Sequence, residues 1–372
     1  MHTTQLTQAK TILKLVHLFG VLLLTTFTSL AFCLEEPSVV DPESHIKEWQ
    51  SFNINTVNSY IIPAYESLEK NTQALNASVN KLCLNSKESP ELLSQAREAF
   101  HKTMDSWQII QNIQFGPIQI LMRNYSLQFW PDKKNHVGKH LTSLLETNDP
   151  TSLSEGEFHK ASVSIKGLPA IERFLFDDDE TQQLLSNPFH CQVLQRISIY
   201  TQGIGHDLVD EWQEMKTQFT DISADGYFET QLDASTALLK ALVEPIEVIR
   251  DLKLLRPLGS EFGQQKMKRL ESWRSQRSLR NIQMNIESLY LLYKNLNDIV
   301  GAAENTLINE KFKQTLKQID AMKKPIELSI ETKIGYQEIL NLSDSLKTLH
   351  GLLENAVINQ GIHLGFNSRD GD

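Results

Sequence analysis

At 372 residues the chain is long enough for two domains of ordinary size. Its 40% hydrophobic content can build real cores and excludes a disordered polymer. A net charge of -10 with no basic stripe excludes a nucleic-acid binder, and fits either a cation partner or plain solubility.

Lys10 and Lys14 precede an apolar run from Leu15 to Phe32, and no acid occurs before Glu35. That order of charge, apolar core and small residues describes a secretory segment over 1–31, cut after Ser29-Leu30-Ala31. Leu30-Ala31-Phe32-Cys33 also resembles a lipoprotein box, although Phe32 is bulky for it. A retained membrane anchor is the third reading of the run. Loss of Lys10 and Lys14 shifts the charge to about -12. Cys83 and Cys191 are then left as a pair. They are either bridged, which contributes roughly 3–5 kcal/mol by chain entropy, or two unrelated buried thiols.

Beyond the secretory segment the pattern is helical almost throughout. Asn85 to Pro90 separates an early helix pair. Phe115 to Pro131 is irregular and rich in aromatics, and the cluster from Ser106 to Asp132 around it holds Trp107, Gln108, Gly116-Pro117, Arg123, Trp130 and Asp132. It forms either a pocket wall or a packed cover over a bundle end. His136 and His140 stand at i, i+4 without an evident third metal ligand.

Lys166 to Phe176 carries the clearest lead. Leu168, Ile171, Phe174 and Leu175 share one helix face, and Glu172 projects from within it. A carboxylate among such neighbours is costly to desolvate unless something pairs with it. It either pairs with a basic side chain or cation at a site, or is a satisfied structural acid. Pro169, one helical turn earlier, marks a first turn or kink and offers no donor atom for a ligand. His206, with Asp207 and Asp210, reads as solvated charge.

The polar stretch Thr220 to Gly226 marks a boundary between an N-terminal bundle, 34–222, and a C-terminal bundle, 223–372. Three apolar stripes support helices in the second half: Leu239-Leu242-Ile246-Ile249, Leu279-Ile282-Ile286-Leu289-Tyr293 and Leu342-Leu346-Leu349-Leu353. Between them, Glu271 to Ser278 holds Arg274 and Arg277 at i, i+3, and Ser275 and Ser278 likewise. Either arginine can neutralise a buried acid such as Glu172 or bind an anion; an exposed helix start is the alternative. The end carries Gly-Phe-Asn and Asp-Gly-Asp, a turn chemistry in which Asp370 and Asp372 suit a cation or a helix cap.

In this order and spacing the segments resemble the imelysin family of bacterial envelope proteins. The resemblance rests on Ser106-Trp107, Phe115-Gly116-Pro117, Trp130-Pro131-Asp132, Gly167 to Glu172, Pro257-Leu258-Gly259, Glu271 to Ser275 and Gly365 to Asp372. It implies an all-α fold of two packed antiparallel helical bundles with a site at their interface. It also implies a periplasmic or outer-membrane location, often as a lipoprotein, and a link to iron uptake. The family motif is Gly-x-His-x-x-Glu. Gly167 and Glu172 match it, and Pro169 takes the histidine's place.

The expected ligand-binding set is Glu172, Gly167, Pro169, Trp107, Trp130, Asp132, Arg274, Ser275, Asn367 and Asp370, with the two tryptophans as walls. Iron or another metal is the cofactor the resemblance admits. Envelope iron-uptake components or a small iron-containing ligand are the partners, with no nucleic acid and only a signal or lipid contact to the membrane. The first reading is a non-enzymatic binding protein. A metallopeptidase is the second, lacking its histidine, and a structural interaction module is the third.

Overall fold

The computed structural model describes residues 40–85 and 90–365. The secretory segment, Cys33, Asn367, Asp370 and Asp372 lie outside the described residues. Within them the fold is all-α, two packed antiparallel helical bundles without a strand.

Helix α1 (Ile46–Thr56) runs through a π-helical turn, Val57–Ile61, straight into α2 (Ile62–Leu84). On α2, Tyr65, Leu68, Thr72, Leu75, Val79 and Leu82 are buried at three-four spacing, which fixes one inward face. α3 (Pro90–Ile110) returns along it. An irregular stretch leads to α4 (His136–Thr147) and α5 (Leu168–Phe176), and then to α6 (Pro188–Met215). α2, α3 and α6 form the body of the first bundle, with α5 laid against α3 and α6. A Cβ at Gly205 of α6 would stand 2.7 Å from Thr72 Oγ1 and 3.2 Å from the Glu69 Cα. Only glycine lets α2 and α6 approach this closely. A Cys83–Cys191 disulfide ties the end of α2 to the start of α6, with Cα atoms 5.5 Å apart.

The second bundle begins with α7 (Gln231–Val248). Its start is set by a capping box in which Thr230 and Asp233 satisfy each other's backbone N–H, at 3.1 and 2.9 Å. α7 widens into a second π-helical turn, Ile249–Leu255. α8 (Ser278–Lys294), α9 (Ala302–Ala321) and α10 (Lys333–Asn359) complete the bundle. α10 packs on α7 and α9, and α8 packs on α7 and α9. The bundles meet through α1 on α7 and α3 on α8. Among the described residues no helix is long and apolar enough to cross a membrane.

Candidate functional site

Glu172 is buried on the inward face of α5, with Leu168, Ile171, Phe174 and Leu175 buried around it. Pro169 occupies the first turn of α5, where its missing N–H leaves no orphan. Gly167 precedes it at a point of close packing. A Cβ there would stand 2.0 Å from the Ser126 carbonyl oxygen and 2.4 Å from that of Leu127.

The partner of Glu172 comes from the other bundle, and it is not an arginine. Ser275 donates its backbone N–H (3.0 Å) and its hydroxyl (2.6 Å) to Glu172 Oε1. Arg274 instead bonds Asp177 Oδ2 at 3.1 Å and stacks 4.2 Å above the Trp273 ring. Arg277 goes to Asp105 and donates to His101 Nδ1 at 3.0 Å. Burial, and then the neighbouring Arg277 charge, push His101 down to about 4.

The Ser275 segment is an irregular turn. Ser272 and Gln276 hold left-handed backbone at φ 52° and 53°, an uncommon conformation for residues with a side chain. A second carboxylate grips the same segment from the C-terminal bundle. Glu327 accepts the Ser278 N–H at 3.0 Å and also its hydroxyl.

Burial raises the Glu172 carboxyl above its ordinary range, while the Ser275 bonds and the Arg274 charge pull it back. Its native pKa therefore exceeds its unfolded value of about 4.5, and the native state holds more protons in between. Stability from this group falls as pH rises from 4.5 through the native value. Glu172→Gln is expected to remove that slope. Glu172→Ala is expected to cost about 1–3 kcal/mol, because Ser275 loses its acceptor. Urea midpoints across acid to neutral pH check both; an unchanged slope in Glu172→Gln contradicts the first.

Beside this joint lies a buried polar network that the sequence reading passed over. Lys253, on the second π-helical turn, pairs with Glu271 at 2.8 Å, both fully enclosed. Lys253 Nζ also donates to Gln108 Oε1 (2.9 Å) and Asn285 Oδ1 (2.7 Å). Glu271 accepts from Gln128 (3.0 Å) and Asn281 (2.9 Å). Burial lowers the Lys253 ammonium pKa and the Glu271 charge opposes that. The available signal was the stripe itself: Lys253 extends Leu239-Leu242-Ile246-Ile249 by one more turn.

The expected walls are placed differently from one another. Trp107 is buried, donating its indole N–H to Gln128 Oε1 at 2.6 Å, so it belongs to the network rather than to an open wall. Trp130 is half-buried, with Lys253 Nζ 6.0 Å from its ring centre. Asp132 caps α4 by accepting the backbone N–H groups of His136 (2.7 Å) and Val137 (2.9 Å). The rings of His136 and His140 are 5.4 Å apart. Among the described residues no three His, Cys, Asp or Glu side chains converge for a metal.

The Imelysin family profile matches residues 61–353. The chain belongs to the imelysin family. An imelysin-like protein from Psychrobacter arcticum 273-4 is similar in structure, with a TM-score of 0.72 at 17% identity, over 86% of this chain and 98% of that one. A protein named as an iron-regulated protein A precursor, from Parabacteroides distasonis ATCC 8503, gives a TM-score of 0.68 at 16% identity, over 84% and 95% of the two chains. These likenesses show the fold. No curated protein matches. Among imelysin features, the motif glutamate here joins the two bundles, and its companion position holds Pro169. With Glu172 bonded to Ser275, the described residues at the motif do not fit a resident metal.

Proposed function

We propose that the protein is an exported cell-envelope component of iron acquisition that binds its ligand at the bundle interface and breaks no bond. The observation that carries this is the Glu172–Ser275 joint. The motif carboxylate is engaged by two donors across the interface, where a hydrolytic site would need it for a metal or an activated water. The edge of that joint supports binding of an anionic iron chelate. Arg274 lies half-buried over Trp273, and Arg173 is close enough that their charges repel. Export and envelope location rest on the secretory pattern of 1–31 and on the family. The similarity to a protein named as an iron-regulated precursor supports the iron link.

Titration of the purified full chain with ferric citrate, haem and free ferric ion, with elemental analysis of the recovered protein, tests this. Saturable uptake of at least one is expected, and Arg274→Gln should weaken the citrate complex about tenfold, the scale of one charge-assisted contact. No uptake of any of the three overturns the reading. So does insulin cleavage by the wild type that disappears in Glu172→Ala, which would establish a peptidase.

A further inference from the structure

A cleft of about 500 Å³ opens between α2, the turn at 150–154 and α6. That is a volume in the range of small-molecule sites. Its walls contain none of the residues of the Glu172 joint, so this inference and the reading above stand or fall separately.

The floor is a ladder of side-chain amides. Gln195 donates to Asn80 (2.9 Å), Asn80 to Asn76 (3.2 Å), and Asn76 to Gln202 (2.6 Å). Ser198 donates to Asn76 Oδ1 at 2.8 Å and fixes the middle of the ladder. A primary amide carries two N–H donors and the ladder uses one from each. The second N–H groups and the side-chain Oε1 of Gln195 remain, while the Gln195 backbone carbonyl accepts from Ser198 at 2.9 Å. Such a row matches secondary amides, which present one donor and one acceptor each.

The wall contributes charge of one sign. Arg196 is the only ionised residue among those lining the cleft. Its guanidinium rests 5.3 Å from the centre of the Phe158 ring. The arginine ion pairs among the described residues belong to Arg123, Arg250, Arg274, Arg277 and Arg280 and not to Arg196, whose buried Nε has no hydrogen-bond partner. Its planar fork suits a carboxylate. Leu153 and the half-exposed Ile199 add apolar surface for a methyl group or a ring face.

From this combination we propose that the cleft binds a small ligand built of secondary amides and one carboxylate. The two sources of that chemistry are a short N-acetylated peptide with a free C-terminus and an N-acetylated sugar acid. Calorimetric titration of the full, oxidised chain with N-acetyl-alanyl-alanine, its C-terminal amide and N-acetylmuramic acid tests it. Saturable one-to-one binding of the free-acid peptide, the sugar acid or both is expected, and the preferred arm names the source. Arg196→Gln should weaken that binding about tenfold or more, as should the C-terminal amide in the peptide arm. Ile199→Trp, at an open position, should block the cleft, and it keeps the test valid if Arg196→Gln unfolds early. Absence of binding for both ligands up to about 10 mM overturns the proposal. Binding that neither variant changes also overturns it, because the ligand then sits elsewhere.

Discussion

Lys253→Met is expected to lower the unfolding free energy by about 3–5 kcal/mol, the usual consequence of stripping one partner from a buried ion pair. Glu271 would keep its bonds to Gln128 and Asn281 but lose the only cation that touches it among the described residues. Gln108 and Asn285 would each lose a donor as well. Met is close to Lys in volume, so packing loss is small and the cost is electrostatic. Lys253→Met/Glu271→Gln should therefore recover most of the loss, since no charge is left stranded. Urea denaturation of the two variants beside the wild type measures this. A single-variant loss below about 1 kcal/mol would mean that the network relaxes to admit water.

Cys83→Ser/Cys191→Ser is expected to cost about 3–5 kcal/mol as well, by a different route. The bridge spans 108 residues of sequence, so its removal frees a long loop in the unfolded chain. Comparing the denaturant midpoint of the wild type, oxidised and reduced, with that of the double variant checks it. Reduced wild type and variant should coincide. If all three midpoints agree, the bond adds no stability.

Helical periodicity made most of the fold legible. The stripe at 239–249 runs along α7 into the first residue of the π-helical turn, and those at 279–293 and 342–353 lie inside α8 and α10, because three-four spacing of large apolar residues has few other solutions. Glu172 was legible for the converse reason, as an acid within such a stripe. Its partner was not. An arginine is the obvious neutraliser, but the structure uses the neutral Ser275 in a strained, aperiodic turn, and pattern does not reveal where such a turn lands. Lys253 carried the same signature as Glu172. Its acid, Glu271, sits in irregular backbone, so their pairing becomes visible only once the bundles are packed. Trp107 illustrates another limit: an aromatic near irregular backbone reads as a wall, but an indole N–H finding Gln128 turns it inward.

The uninterrupted passage from α1 through the 57–61 turn into α2 bears on how the molecule can move. This rod is on the order of 60 Å long at about 1.5 Å per residue. Its first part lies against α7 of one bundle and its remainder against α3 and α6 of the other. It works as a splint. The polar segment at 220–226 is the natural place for a hinge, yet rotation about it would bend the rod or strip α1 from α7. The rod thus opposes rotation of the two halves about that segment, and a ligand at the proposed seam would enter from its rim rather than through an opening jaw.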